Sequence, residues 1–202
     1  MIFWDVDTQV DFLVPGGRLY VPGGEEIVPN LARLTAWARD HSVPVISSAC
    51  AHHPGDPEFQ VYGPHCLVGT PGQKKIPETL LPRRLVVFNR PIALPELRRF
   101  EQIILEKERL DVFTNPNTEA VLARYGGRLE IVLYGVVTEI CVAYATRGLL
   151  ARGHRVRVVR DAVRHLDWRQ AEAFLQEVAA QGGELVTTDA IVGPGEVRVP
   201  AA

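Results

Sequence analysis

Three side chains in this sequence have types and positions that could perform nucleophilic chemistry: Asp7, Lys107 and Cys141. Each follows an apolar, strand-like run. Asp7 follows Met1–Val6, Lys107 follows Ile103-Ile104-Leu105, and Cys141 comes shortly after Leu129–Tyr134. The segment from Gly135 leads into a helical pattern through Ala143, Ala145, Leu149 and Leu150. That puts Cys141 in the first turn of a helix beyond the carboxyl end of a strand. Thr138 is expected to cap this helix and make Cys141 its third residue. Open α/β sheets place ligands at that edge, and a first helical turn favours a thiolate. If the three strands are neighbours, the side chains converge: Asp can take the thiol proton, and the ammonium favours both anions. The competing reading is an Asp turn cap, a surface Lys and a buried Cys acting as a small hydrophobe.

Lysine usage sharpens the choice. Of 22 basic residues only Lys74, Lys75 and Lys107 are lysines. Arg is locked in its charged form, whereas Lys is a compact charge that can be tuned. Lys74 and Lys75 fall in a polar loop and are expected to be solvated.

The elements that must position these groups follow from periodicity. Strand-like runs fall at 1–6, 43–48, 85–88, 102–105, 130–135 and 155–159, with a weaker one at 184–187. Helical spacing marks 25–41, 117–125, 139–152 and 168–181, and glycines end three of these. Such alternation predicts an α/β fold with a mostly parallel sheet. The stretch 50–82 breaks the pattern, with six prolines and with His52, His53 and His65. A loop of that length in one domain points to function. The tail after Ile191 has no periodicity, which predicts a mobile or neighbour-packed end.

Bulk properties narrow the classes. A length of 202 residues suits one domain, 1–202, with a full core. A net charge of -2 gives no basic field for nucleic acid or an anionic membrane, and no apolar run is long enough to span one. Three cysteines make no disulfide framework, and the N-terminus has no signal-peptide pattern. The expected compartment is the cytoplasm.

Several collinear motifs carry a resemblance. Asp7–Phe12 reads D-x-Q-x-D-F and is followed by Pro15-Gly16-Gly17. His65–Gly72 reads H-C-x-x-x-T-P-G, Lys107 is followed by Phe113, Gly135–Val142 reads G-V-x-T-x-x-C-V, and Arg160–Val163 reads R-D-A-V. Together they resemble the isochorismatase-like cysteine hydrolases, which include nicotinamidase and N-carbamoylsarcosine amidase. The resemblance implies a three-layer sandwich: a six-stranded, mostly parallel sheet with helices on both faces. It implies Cys141 as nucleophile, Asp7 as general base and then acid, and Lys107 as electrostatic partner. It further implies a cis peptide at Val136–Val137, with the amides of Val137 and Cys141 facing the oxyanion; losing one such donor typically costs about 10²–10³ in rate. Phe12 matches an aromatic wall, Gln9 and Tyr144 are expected to contact substrate, and Trp4, His52 or His53 could add further walls. A homo-oligomer acting on a small molecule is expected.

Nicotinamidases carry a D-x-H metal motif and a later His. Here Cys50-Ala51-His52 occupies the first motif with Cys in the Asp slot, and His65 supplies the later His. His53 is the alternative if the register follows the proline. A set of Cys50, His52 and His65 suits Zn²⁺, because thiolate and imidazole are both zinc ligands; the alternative is a lost metal with the histidines contacting loop or substrate. No organic cofactor is implied. Nicotinamide, carbamoyl compounds and other small amides all fit, while an ether such as isochorismate is disfavoured by Cys141. A non-catalytic binding or scaffold member is the rival class, and a Cys50/Cys66 redox protein ranks last, lacking C-x-x-C spacing.

Overall fold

A computed structural model describes residues 1–195. Seven strands form a single sheet: β1 (Ile2–Val6), β2 (Val45–Cys50), β3 (Arg84–Val87), β4 (Gln102–Lys107), β5 (Glu130–Val136), β6 (Arg155–Arg164) and β7 (Glu184–Val186). Their order is β3-β4-β2-β1-β5-β6-β7, and every pairing is parallel. The sheet thus has seven strands where the resemblance implied six. The extra one is the three-residue edge strand β7, whose weak apolar run at 184–187 was already visible.

Alternation along β1 splits the core into two layers. Ile2, Trp4 and Val6 face one side with α4 (Thr118–Ala123), α5 (Ala143–Ala151) and α6 (Trp168–Ala180). Phe3 faces the other, where α2 (Val28–Asp40) contributes Leu31, Leu34 and Ala38. Helices therefore cover both faces, as a parallel sheet requires. Trp4, expected as a possible pocket wall, is wholly buried in the first layer and stacks on Phe113. Two short helices, α1 (Val10–Leu13) and α3 (Phe59–Tyr62), lie in the segments after β1 and β2.

The chain end departs from expectation. Helix α7 (Thr188–Val192) packs on α2, and Arg33 of α2 donates to the Gly193 carbonyl at 2.6 Å and pairs with Asp189. Positions 196–202 of the predicted tail lie outside the described residues.

The long loop is stapled to the sheet by the first motif. Gln9 donates to the carbonyls of Cys50 and Gln73 and accepts from the Cys50 amide. Asp11 accepts from the amides of Cys66 and Arg18. Gly17 and Gly72 pack so closely on Asp11 that a Cβ at either would overlap it. Lys75, expected in solvent, is instead buried and pairs with buried Asp5 at 2.9 Å while donating to Thr8. Polar composition cannot show that this loop doubles back over β1.

Candidate active site

The register of the sheet brings the three reactive groups together. β1 lies between β2 and β5, and β2 pairs with β4, with Cys50 opposite Lys107. The carboxyl ends of four adjacent strands therefore meet at one point. Gly135 sits beside a bulge in β5 at φ 119°, where a Cβ would overlap the Val6 carbonyl. Only glycine lets β5 approach β1 there.

Lys107 Nζ lies 2.9 Å from Asp7 Oδ2 and donates to Cys141 Sγ at 3.5 Å. All three residues are buried. Burial pushes the Asp7 carboxyl up, but the Lys107 charge outweighs it, helped by hydrogen bonds from Ser48, Lys107 and Cys141, and the carboxyl sits below its ordinary value. Burial alone would lower Lys107; the charges of Asp7, Cys141 and Cys50 hold it well above the usual ammonium range. The Cys141 thiol is raised, first by a hydrogen bond to Cys50 and then by burial, against the Lys107 charge.

Cys141 is the fourth residue of a π turn, Thr138–Val142, in which the Val142 amide donates to the Val137 carbonyl. The expected Thr138 cap is absent: Val137 holds that position and the Thr138 hydroxyl is buried without a partner. The Val136–Val137 peptide is cis. Among the described residues, the Val137 amide has no backbone acceptor.

The contacts of two residues beside Cys141 escaped sequence reasoning. Ser48 donates to Asp7 Oδ1 at 2.6 Å; its only signal is its place in β2 opposite Val6. Cys50, read as a metal donor and, in the last-ranked alternative, as a redox thiol with Cys66, touches the other groups directly. Lys107 Nζ donates to its Sγ at 3.1 Å, and that Sγ lies 3.7 Å from Asp7 Oδ2.

Cys141 and Cys50 form the floor of a cavity of about 270 Å³, open mouth included. Its walls include Phe12, Leu19, Tyr62, Leu110, Ile140 and Leu166, with Glu58 and His65 to one side. Phe12 is thus a wall. Gln9 is not, because its amide is spent on the loop backbone. Tyr144 is also absent from the lining and is 43% exposed on α5, and His53 is exposed. A larger cleft, about 980 Å³ with its mouth, lies at the amino ends of the strands and is lined by Arg39, Arg83, Arg98 and Tyr125. Its lining contains no Cys, His or Asp, and the carboxyl edge is where sheets of this kind carry chemistry.

The chain also matches known proteins. The isochorismatase domain model covers residues 3–93 and 91–190. The chain belongs to the isochorismatase family. It is 28% identical over 203 residues to a nicotinamidase of Escherichia coli (strain K12), covering 90% of this chain and 92% of that one. It is 26% identical over 187 residues to a maleamate amidohydrolase of Pseudomonas putida, covering 90% and 80%. A pyrazinamidase of Pyrococcus horikoshii in complex with zinc superposes with a TM-score of 0.75 at 25% identity, covering 92% and 98%. This is an isochorismatase-family hydrolase whose relatives include amidases.

A group able to hold a metal lies at the cavity, two of its three residues being in the lining. The donor atoms of Cys50, His52 and His65 lie within 4.8 Å of one another, and all three residues are buried. Nδ1 of His52 bonds Asp56 at 2.9 Å, and Nδ1 of His65 bonds the Gly63 carbonyl at 2.9 Å. Those outer bonds turn each Nε2 inward, as metal-binding histidines require. The His52 Nε2 is buried with no protein partner. Burial lowers the His52 imidazole, so it is neutral and can ligate. Glu58, which the sequence reading did not single out, places Oε1 3.7 Å from both Nε2 atoms. The donor set fits a borderline-soft divalent ion such as Zn²⁺.

Proposed function

We propose that this hydrolase cleaves small, uncharged aromatic carboxamides of the nicotinamide type through a thioester on Cys141. The observation that carries this reading is the contact of Asp7, Lys107 and Cys141 at the floor of an apolar cavity with no Arg or Lys among its wall residues. Maleamate and N-carbamoylsarcosine each carry a carboxylate that would need a cation. The cavity offers Glu58 instead. Its aromatic and aliphatic walls suit a flat neutral ring.

In the acylation step Cys141 Sγ attacks the amide carbonyl as its proton passes to Asp7. The low carboxyl keeps Asp7 ionised and ready to accept. The oxyanion develops towards the amides of Val137 and Cys141. Asp7 then returns the proton to the departing nitrogen, ammonia leaves, and a thioester remains. Water attacks the thioester while Asp7 takes its proton, and the acid departs as Cys141 recovers its own. Lys107 keeps a positive charge beside both anionic centres throughout. Cys50, His52 and His65, with Glu58 nearby, would hold a divalent metal whose Lewis acidity can fix a basic ring nitrogen of the substrate.

The test is ammonia release from nicotinamide, pyrazinamide, benzamide, maleamate and N-carbamoylsarcosine, with and without zinc and with Cys141→Ala as blank. Turnover of the neutral aromatic amides, lost in the mutant, is expected. Preference for maleamate, or undiminished activity in the mutant, would overturn the reading. Zinc dependence for the pyridine and pyrazine amides but not for benzamide would assign the metal to ring binding.

A further inference from the structure

We propose that Cys50 and Cys141 are the two halves of an oxidative modification site: hydroperoxide converts them into a disulfide that thiols reverse. The sequence makes this specific to a chain with Cys at position 50. Both sulfurs contact the same Lys107 Nζ, at 3.1 and 3.5 Å, so they lie no more than about 6.6 Å apart. Both line the same cavity, so a peroxide that reaches one reaches the other. The third thiol is set apart: Cys66 is wholly buried, does not line the cavity, and its Sγ faces the Gly72 carbonyl at 3.9 Å.

The chemistry balances in two steps. The Cys141 sulfur attacks one peroxide oxygen, the O–O bond breaks, and a sulfenic acid forms with release of water or an alcohol. The Cys50 sulfur then attacks the sulfenic sulfur, an S–S bond forms, the S–O bond breaks, and the hydroxide leaves as water with the Cys50 proton. Two thiols are oxidised and one hydroperoxide is reduced. An S–S bond is about 2.05 Å, so the two sulfurs must leave Lys107 Nζ and close on each other. Cys50 is the last residue of β2 before the long loop, and Cys141 lies in the π turn, so each can move without dismantling a strand or a regular helix.

The bridge would remove the nucleophile and one metal donor in a single event. Only this effect on turnover rests on the proposed role of Cys141; formation of the bridge does not. The experiment treats the metal-free full-length protein with a small excess of hydrogen peroxide and compares wild type, Cys50→Ser and Cys66→Ser. Free thiols, intact mass and peptide maps are recorded before and after dithiothreitol. Wild type and Cys66→Ser should lose two thiols, become two hydrogens lighter, and yield a Cys50 peptide linked to the Cys141 peptide. Activity should fall to the level of Cys141→Ala and return with dithiothreitol. Cys50→Ser should instead gain oxygen on Cys141 and recover incompletely. Unlinked Cys50 in oxidised wild type, a link to Cys66, or oxygen accumulating on wild-type Cys141 would overturn the proposal. Thiol counts and masses need no substrate, so a failed amide assay leaves this test standing.

Discussion

Asp7 is held between two opposing effects. Burial, the largest single effect, favours its neutral form; the Lys107 charge at 2.9 Å and hydrogen bonds from Ser48, Lys107 and Cys141 favour the anion and together prevail. Because the folded value lies below the ordinary 3.8, the carboxylate contributes stability that is fully present above that pH. It is lost as pH falls through the folded value. Asp7→Asn should therefore lack this acid-dependent loss. At neutral pH it should be less stable by about 3–5 kcal/mol, because Lys107 is left buried without its partner. Urea unfolding of both proteins between pH 3 and 7 measures each effect. Ser48 is a positioning residue. Ser48→Ala removes a hydrogen bond to a charged carboxylate, worth about 1.5–3 kcal/mol, so kcat/KM should fall about 10- to 100-fold. The acid limb of its pH profile should also move to higher pH, which simple loosening of the fold would not produce. The reactive trio was legible because each side chain follows an apolar run in sequence. Gln9 was misread because a conspicuous amide in a motif suggests a ligand contact. Its partners are loop backbone groups that only the folded chain places within reach.

Among the elements, the long loop is the one that sequence describes least well. Its prolines and glycines announce irregular backbone, yet its polar groups must find partners once buried. Gln9, Asp11 and Lys75 meet that need from or towards β1 and the turn after it. Lys75→Met should cost about 3–5 kcal/mol by leaving the Asp5 charge buried without its cation, whereas Lys74→Met, at an exposed residue, should stay within about 0.5 kcal/mol of wild type. Thermal or urea unfolding of the pair separates the two lysines that composition alone made look alike. The close packing of Gly17 and Gly72 on Asp11 was not legible, and for Gly72 the contact joins residues far apart in sequence. Thr138 shows the same limit: a Thr before a helical pattern suggests a cap, but the π turn moves the helix start to Val137.

At the scale of the molecule, one parallel sheet separates two ends. The carboxyl edge carries the thiols, the ion pair and the metal-competent group, and the amino edge carries an arginine-lined cleft without Cys, His or Asp. Alternation of strands and helices made this architecture readable, and only the edge strand β7 was too short to be secure. Among the described residues no helix is long and apolar enough to cross a membrane. The place of Cys50 was not readable at all, because it depends on which strands are neighbours. The order β4-β2-β1-β5 sets a metal donor against a nucleophile.

The staples from β1 do not reach one stretch of the long loop, which is held through Asp56 to His52 and Arg109. Between the buried His52 and His65 the chain passes through exposed His53, Pro54 and Gly55, and on through Gln60 and Val61, the latter 75% exposed. Exposed, weakly packed backbone of this kind is where proteases cut first. The same stretch carries Glu58 and Tyr62 into the cavity. A metal seated on His52 and His65 would tie both ends of it. Zinc should therefore slow cleavage by a broad-specificity protease near 59–62, and a chelator should restore it, as followed by fragment masses. The loop would then act as a built-in occupancy gauge, reporting the state of the centre in a protein that is not turning over any substrate.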